Sequence, residues 1–274
     1  MTAGPPPHGS QGRLRLGTAG WSVPSPCRAR IGGEGSQLER YARVLNAVEI
    51  NTSFYRPHRQ TTYERWARVT PDDFQFAVKV PQAITHAAEA QPSDIDRFLQ
   101  ETAGLGSKLA LFLVQFPPSK TYDEGAPCRL FEALQASTSV PLVCEPRHPS
   151  WFTDDVDRWL AERRIARVAA DPARTKGADQ PGGWPGLQYV RLHGSPRIYY
   201  SAYEASFLHR LGERLAAMLA TSDVWCIFDN TALGAAMENA LDLQDQLHAR
   251  SRLAGEATDQ NNSTPSSAVS STSA

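Results

Sequence analysis

Short apolar runs recur along the chain, and patterns typical of helices lie between them. The eight runs are Leu14–Gly20, Ala47–Asn51, Phe74–Val80, Leu109–Phe116, Val140–Glu145, Ile165–Asp171, Leu187–His193 and Val224–Asp229. Several of them are almost continuously apolar, which is typical of parallel strands buried on both faces. A run returns after about 30 residues, the length of one strand with its crossover helix. The pattern therefore limits the chain to a parallel α/β fold with helices outside the strands.

Eight strands favour a closed barrel over an open sheet. The length of 274 residues is close to the roughly 250 residues typical of a (β/α)8 barrel. An open nucleotide-binding sheet usually has a G-x-G-x-x-G turn after its first strand, and the segment Gly17–Ser22 does not fit that pattern. We predict a single TIM-type (β/α)8 barrel. An irregular long loop, Asp171–Gly186, is expected between strands six and seven, because its prolines and glycines oppose a regular helix.

The folded domain is expected to span residues 13–250. Residues 1–12 and 251–274 are predicted to be disordered tails, since the first contains three consecutive prolines and the second is rich in Ser and Thr. Two capping-box sequences, Ser36–Glu39 and Ser201–Glu204, predict that helices begin at these serines.

Composition argues against several classes of protein. The 28 basic residues nearly balance the 29 acidic ones, so no global charge indicates a nucleic-acid coat or a membrane-surface protein. No apolar stretch reaches the roughly 18 residues of a membrane span, and the N-terminus lacks the apolar region of a secretory signal. The four cysteines form no C-x-x-C pair. We expect a reduced cytoplasmic protein with no membrane association and no obligate protein partner.

Polar side chains stand at or near the ends of the predicted strands. They are Glu49, Lys79, Gln115, Glu145, Asp171, His193 and Asp229. In a barrel such residues converge on the rim where active sites are built, so all except Gln115 are candidate catalytic residues. Four carboxylates with His193 have the donors for a divalent cation, which could activate a water molecule. The alternative is that each carboxylate pairs with a basic neighbour. The chain has no H-E-x-x-H motif, so the sequence supports a metal only weakly.

Basic residues accompany the carboxylates along the same rim. Arg56, Arg147 and Arg191 suit bidentate recognition of phosphate or carboxylate groups, which predicts a small anionic ligand. Lys79 could act as a Schiff-base amine if burial lowers its pKa. An ion pair of Lys79 with Glu49 or Glu145 is the favoured alternative.

Aromatic residues and amides complete the predicted ligand site. Aromatic rings could stack on a base or a sugar, or they could simply pack the loops against the barrel. Amide side chains could orient a substrate. The candidate ligand-binding residues are Trp21, Asn51, Tyr55, Arg56, Gln115, Arg147, Arg191 and Tyr200, with Tyr199 and Tyr203 close to the last of these.

Seven segments together resemble domain-of-unknown-function family 72. They are Gly17–Ser22, Val48–Arg56, Phe76–Pro81 with Ile84–His86, Leu113–Ser119, Cys144–Trp151, Val190–Ser195 and Phe228–Thr231. The resemblance extends from Leu14 to Leu247 and implies a TIM-barrel-like fold, but it implies no established activity. The chain departs from the family after Trp21, where Val23–Arg28 lacks the aromatic residues of many relatives.

Three functions are compatible with this sequence. The leading one is an enzyme with hydrolase- or lyase-type chemistry on a phosphorylated or nucleic-acid-derived ligand. The alternative is a non-catalytic binding or sensing module for an anionic ligand. In the third, the rim is only an ion-pair network that stabilises a scaffold.

Overall fold

The chain folds into an α/β structure. A computed structural model describes the backbone of residues 12–123 and 125–262, and side chains as far as residue 252. Within these residues the strands are β1 (Leu14–Thr18), β2 (Ala47–Ile50), β3 (Gln75–Lys79), β4 (Leu109–Gln115), β5 (Leu142–Glu145), β6 (Ala166–Arg167), β7 (Ala169–Asp171), β8 (Gly182–Gly183), β9 (Leu187–Leu192) and β10 (Asp223–Phe228). The α-helices are α1 (Arg28–Ile31), α2 (Gln37–Tyr41), α3 (Gln60–Arg68), α4 (Gln82–Thr85), α5 (Pro92–Thr102), α6 (Ala126–Ser137), α7 (Asp154–Glu162), α8 (Ala205–Leu219) and α9 (Ala235–Asn262).

The strands form two sheets rather than the one closed ladder predicted from the sequence. One sheet has the order β1-β10-β9-β7 and the other the order β2-β3-β4-β5-β6-β8. Neither sheet closes within the described residues, so the prediction of a single closed (β/α)8 barrel is not confirmed. The parallel α/β character is confirmed, and only the short β8 runs antiparallel to its neighbour.

The predicted sixth strand changes partners at Val168. The Val168 amide donates to the carbonyl of Cys144 in the six-stranded sheet, whereas Ala169 pairs with Val190 of β9 in the other sheet. At the opposite junction, an isolated parallel bridge between Ala19 and Glu49 joins the sheets. The ladder is interrupted at these two places because few hydrogen bonds connect the strands there.

The two sheets enclose a shared apolar interior. One buried cluster joins residues from both sheets, including Ala47, Leu113, Val143, Tyr189 and Ile227. A larger cluster lies between the strands and the helices. In β4, Leu111 and Leu113 belong to the interior, while the alternating Phe112 and Val114 pack on the helix side. Both faces of the strands are therefore buried, as the continuous apolar runs predict.

The same alternation directs the polar residues at the strand ends. Successive side chains of a strand point to opposite faces, so residues two positions apart share a face. Each polar residue follows an interior apolar residue by two positions: Ala47 precedes Glu49, Ala77 precedes Lys79, Leu113 precedes Gln115, Val143 precedes Glu145, Tyr189 precedes Arg191, and Ile227 precedes Asp229. We call the set Glu49, Lys79, Glu145, Arg191, His193 and Asp229 the rim cluster; all six residues are buried.

Helix starts agree with the sequence in one case and differ in another. Ser36 caps α2 with the predicted box, in which Glu39 contacts the Ser36 amide in return. Ser201 caps no helix, and α8 begins only after Glu204. The reason is that the Tyr203 amide donates to Asn239 and its hydroxyl donates to Asp171, which holds this segment in a non-helical conformation.

The predicted irregular loop is held by Arg167. This buried side chain makes a two-bond ion pair with Asp157, at 2.7 and 2.9 Å. It also donates to the carbonyls of Gly177 and Gln180. The loop contains β8 but no helix of its own.

The ends of the chain and the cysteines complete the description. Helix α9 continues past residue 250, the predicted end of the domain, to Asn262. Residues 1–11 of the first predicted tail and residues 263–274 of the second lie outside the described residues. In the described part of the chain, no helix is both long and apolar enough to cross a membrane. All four cysteines are buried and free.

Candidate active site

The centre of the rim cluster is a fully buried arginine. Arg191 makes a bidentate contact with Glu49, with Nε–Oε2 at 2.9 Å and Nη2–Oε1 at 2.6 Å. Its Nη1 donates to Glu145 at 2.6 Å, and its Nη2 lies 3.1 Å from Asp229. Burial alone would lower the pKa of Arg191, but Glu145 and Glu49 raise it well above the ordinary value. A buried charge is tolerated when it is paired in this way.

Two carboxylates of the cluster, Glu145 and Asp229, are each bound to more than one basic side chain. Glu145 also accepts from Arg147 at 3.3 Å. Burial opposes ionisation, but Arg191 and Arg147 hold the pKa of Glu145 well below its usual range. Asp229 has a lowered pKa for a similar reason, with Arg191 and His193 outweighing burial. Both carboxylates are therefore ionised at neutral pH.

His193 bridges two of these carboxylates. Its Nδ1 lies 2.9 Å from Asp229 and its Nε2 lies 3.1 Å from Glu145. A neutral imidazole has only one N–H, so one ring nitrogen would face a carboxylate oxygen without a proton. Burial lowers the pKa of His193, but Glu145 and the bond to Asp229 raise it overall. The two contacts therefore favour the imidazolium form of His193, which can donate on both sides.

Lys79 lacks the ion pair expected from the sequence. No described carboxylate lies within ion-pair distance of its amine, because Glu49 and Glu145 bind Arg191 instead. The Lys79 Nζ lies 4.0 Å from the centroid of the Phe54 ring. Burial, followed by repulsion from Arg191, lowers the pKa of Lys79 to about 8.

The balance of charges in the cluster adds to the effect of burial on Lys79. Glu49, Glu145 and Asp229 carry three negative charges, which Arg191, Arg147 and protonated His193 balance. A proton on Lys79 adds one unbalanced positive charge in a buried place. Loss of that proton leaves the cluster neutral, which favours the free amine.

Among the described residues, the side chain of Asp171 contacts no side chain of the rim cluster, although its backbone carbonyl accepts from the His193 amide at 2.7 Å. Its Oδ1 accepts from the Tyr203 hydroxyl at 2.8 Å. Tyr203 also accepts from the Gly194 amide, so Asp171 and Tyr203 fasten the loop after β9. This assigns Tyr203 a structural contact, while a catalytic role for Asp171 stays a prediction.

Four predicted ligand-binding residues line one cavity. Trp21, Asn51, Tyr55 and Arg56 surround a space of about 440 Å³ beside the ends of β1 and β2. Tyr55 and Arg56 also border a second cavity, of about 590 Å³, together with His86. The two residues thus lie between two open spaces.

The other predicted ligand residues lie elsewhere. Gln115 is buried at the end of β4. Arg147 and His193 line a small cavity of about 20 Å³ with Arg174. Tyr200 stacks on Arg197, whose guanidinium lies 3.9 Å from the ring centroid. The structure therefore divides the predicted ligand residues among separate places.

Sequence reasoning missed two contributors to these places. Tyr189 donates to Glu49 at 2.8 Å, and its position two residues before Arg191 could have revealed it. Trp66 lies against Trp21 with ring centroids 4.9 Å apart. Trp66 comes from α3, and no pattern at the strand ends points to it.

The predicted divalent metal finds no support in the described residues. No group of three or more His, Cys, Asp or Glu side chains in them is arranged to hold a metal ion. The carboxylates of the rim cluster instead accept from Arg191 and His193. The alternative reading, in which carboxylates pair with basic neighbours, describes this geometry.

Comparison with known proteins gives consistent matches. A family model described as "Protein of unknown function DUF72" matches residues 15–264. The UPF0759 protein YecE of Escherichia coli K12 is 30% identical over 166 residues, which cover 58% of this chain and 59% of YecE. The UPF0759 protein YunF of Bacillus subtilis 168 is 30% identical over 148 residues, covering 51% and 52% of the two chains. The match thus spans little more than half of either relative.

Solved structures agree in fold. A DUF72 family protein from Enterococcus faecalis V583 has a TM-score of 0.72 at 24% identity, covering 86% of this chain and 98% of the other. A DUF72 family protein from Thermotoga maritima MSB8 has a TM-score of 0.71 at 23% identity, covering 86% and 99%. At this identity the likeness extends to the fold alone.

Proposed function

This chain belongs to the DUF72 family, whose function is unknown, and we propose that its rim cluster is the active site of a lyase-type enzyme acting on a small anionic carbonyl compound. A phosphorylated or nucleic-acid-derived ligand fits this description. The observation that carries the proposal is Lys79, a buried amine whose pKa is lowered to about 8 and which has no carboxylate partner among the described residues.

The lowered pKa makes Lys79 a usable nucleophile. With a pKa of about 8, roughly a tenth of the amine is neutral at pH 7, against roughly one part in 2,500 for an ordinary lysine. A purely structural lysine in a cluster with three carboxylates would be expected to pair with one of them. Desolvated lysines of this kind serve as Schiff-base amines in other enzymes.

The proposed reaction uses a second group as the acid. The neutral Lys79 amine attacks the carbonyl carbon, and the carbonyl oxygen accepts protons and leaves as water, giving an iminium ion. A carbon–carbon bond at the neighbouring carbon then breaks: its electron pair moves toward the iminium ion to give an enamine, and the other fragment, whose hydroxyl gives up its proton, leaves as an aldehyde. A proton returns to the enamine carbon and re-forms the iminium ion, and water hydrolyses this ion to release the carbonyl product and restore the amine. His193 is the proposed proton donor through Nε2, since its contact with Glu145 is the longer of its two, at 3.1 Å.

Hydrolysis by a carboxylate is less well supported. Glu49, Glu145 and Asp229 each bind Arg191, so none is free as a nucleophile or base in this arrangement.

Arg147, with a side chain 15% exposed, is the proposed contact for an anionic group, because guanidinium recognises phosphate and carboxylate with paired bonds. The two sheets would then act as one barrel-like wall, a closure supported by the shared interior cluster and the Ala19–Glu49 bridge.

Borohydride trapping tests the proposal directly. The protein is incubated with glyceraldehyde 3-phosphate and sodium borohydride, which reduces an imine to a stable secondary amine, and the modified residue is located by mass spectrometry. The chain has only four lysines, Lys79, Lys108, Lys120 and Lys176. We expect modification at Lys79, with a rate that rises as the pH approaches about 8, where half of an amine with that pKa is neutral.

Matched variants make the test decisive. Lys79→Met should abolish trapping, whereas Lys176→Met, which alters an exposed loop residue, should leave it unchanged. Trapping distributed equally over the lysines would refute the nucleophilic role. Saturable binding of inorganic phosphate without any trapping would favour the binding or sensing module instead.

A further inference from the structure

We propose that the cavity of about 440 Å³ beside the ends of β1 and β2 binds a planar heteroaromatic ring of the kind found in nucleobases. We call this space the ring pocket. The proposal deepens the proposed function and rests on it in one respect: the ring would belong to the same ligand whose carbonyl reaches Lys79.

The ring pocket has aromatic walls. Its lining includes Trp21, Tyr55, His58 and Trp66. Trp66 meets Trp21 at 4.9 Å with planes 72° apart, and it meets His58 at 5.1 Å with planes 73° apart. Rings packed edge to face hold one another in place, and an aromatic lining of this kind accepts the π-face of a base. Its volume is within the range of small-molecule sites.

Polar groups among these rings favour a heteroaromatic ligand over a hydrocarbon. Asn51 lines the pocket, and its Oδ1 is buried without a hydrogen-bond partner among the described residues. Asn51 precedes a short 3-10 turn, but its side chain does not cap that turn. A buried acceptor left unpaired costs stability, and an amide can both donate to and accept from the edge of a base. Gln37 and Arg56 supply further donors at the wall.

The ring pocket adjoins the backbone of Glu49, a residue of the rim cluster. Its floor includes Ala19 and Gly20, and the Gly20 amide donates to the carbonyl of Glu49 at 2.8 Å. Gly20 has a φ of +84°, and a β-carbon built there would meet nothing within 4 Å. Gly20, which is hydrogen-bonded to Glu49, therefore borders open space.

Tyr55 connects the ring pocket with the proposed nucleophile. The centroid of its ring lies 5.0 Å from that of the Phe54 ring. The Lys79 amine lies 4.0 Å from the centroid of the Phe54 ring. A ring held against Tyr55 is thus separated from Lys79 by one further side chain. A ligand with a heteroaromatic ring on one side and a reactive carbon on the other fits this order.

Equilibrium binding of two probes tests the ring pocket. Adenosine 5′-monophosphate and ribose 5-phosphate, the latter used as its methyl glycoside so that it has no free aldehyde to react with Lys79, both carry sugar and phosphate, but only the first has the ring. By isothermal titration calorimetry, we expect the nucleotide to bind at least about fivefold more tightly, since stacking of one base on an aromatic side chain contributes that much or more. Equal affinities for the two probes, or no binding of either, would overturn the proposal.

Variants at Tyr55 identify the contact. Tyr55 is 74% exposed, so its truncation should not affect folding, which a thermal melt would verify. Tyr55→Ala should lower the affinity for the nucleotide about fivefold or more and leave that for ribose 5-phosphate unchanged, while Tyr55→Phe should retain both. Leu233→Ala is the matched control, because Leu233 is 76% exposed and does not line the pocket. An equal loss for both probes, or no loss in Tyr55→Ala, would contradict a stacking contact.

A variant without the nucleophile separates this proposal from the proposed function. Lys79→Met should keep the preference for the nucleotide over ribose 5-phosphate, although it abolishes trapping by borohydride. If trapping fails in the wild type but the preference is found, the ring pocket stands and the lyase proposal fails. If trapping succeeds and the preference is absent, the lyase proposal stands and the ring pocket fails.

Discussion

Replacing Glu49 by Gln should strongly destabilise the protein. Glu49 is fully buried and accepts three hydrogen bonds, from the Tyr189 hydroxyl at 2.8 Å and from Arg191 at 2.9 and 2.6 Å. Glutamine has nearly the same shape, but it has no charge and places an NH₂ group where one oxygen was. That NH₂ group would face an N–H donor, so Arg191 would lose one bond and part of its charge compensation.

The expected loss of stability arises because the Arg191 charge stays buried after its partner is neutralised. Removing one partner of a buried ion pair costs about 3–5 kcal/mol, because the other charge stays buried. Typical domains have a total stability of about 5–15 kcal/mol, so Glu49→Gln should fold but unfold at much lower urea concentration. Equilibrium urea denaturation followed by circular dichroism measures the change in the free energy of unfolding.

A matched control uses an exposed pair. Arg158 and Asp155 form a salt bridge with side chains 66% and 88% exposed, and Asp155→Asn should cost less than about 1 kcal/mol. Tyr189→Phe, which removes one neutral donor from Glu49, should cost about 1 kcal/mol. If Glu49→Gln cost no more than Asp155→Asn, the buried carboxylate would not be what balances Arg191, and the charge argument for Lys79 would fail with it.

Two further predictions concern pH and the irregular loop. The folded-state pKa of His193 is raised, so its contribution to stability is complete below the unfolded value of about 6.5 and is lost as the pH rises through the folded value. In His193→Gln the free energy of unfolding, measured by urea titration at a series of pH values, should therefore fall less steeply with rising pH than in the wild type. An unchanged dependence on pH would refute the protonated bridge. Arg167→Lys should speed trypsin cleavage in the loop after Arg174 or Lys176, because one ammonium cannot replace the four contacts of Arg167. Cleavage as slow as in Arg158→Lys would show that Arg167 does not hold the loop.

The periodicity of the sequence predicted the strands and their burial, but it did not predict whether the sheet closes. The positions of the strands and the burial of both their faces follow from nearly continuous apolar runs such as Leu109–Phe116. The change of partner strand at Val168 could not be predicted. It depends on which strand the Val168 amide is hydrogen-bonded to, here that of Cys144, and an apolar run does not indicate which strand lies beside it. The extension of α9 past residue 250 was also missed, since its last turns contain little that an amphipathic pattern would reveal.

The candidate site shows a similar division. Strand ends identified Glu49, Lys79, Glu145, His193 and Asp229 as neighbours, and the structure places all five in one buried cluster. The sequence favoured Lys79 as the partner of Glu49 or Glu145, and that was wrong, since Arg191 holds both. The same reasoning also predicted Asp171 at the rim, but its carboxylate accepts from the Tyr203 hydroxyl instead.

The sequence by itself determined which residues face the shared interior and which polar residues stand at its rim, because a strand alternates its side chains with a fixed period of two. Only the tertiary structure decided the pairing of the charges and the aromatic walls of the ring pocket. Pairing depends on distances between side chains from strands far apart in the chain, such as Glu49 and Arg191. The planar guanidinium of Arg191 has donors in a fixed fork that binds Glu49 and Glu145 at once, and this geometry left the amine of Lys79 without a carboxylate partner among the described residues.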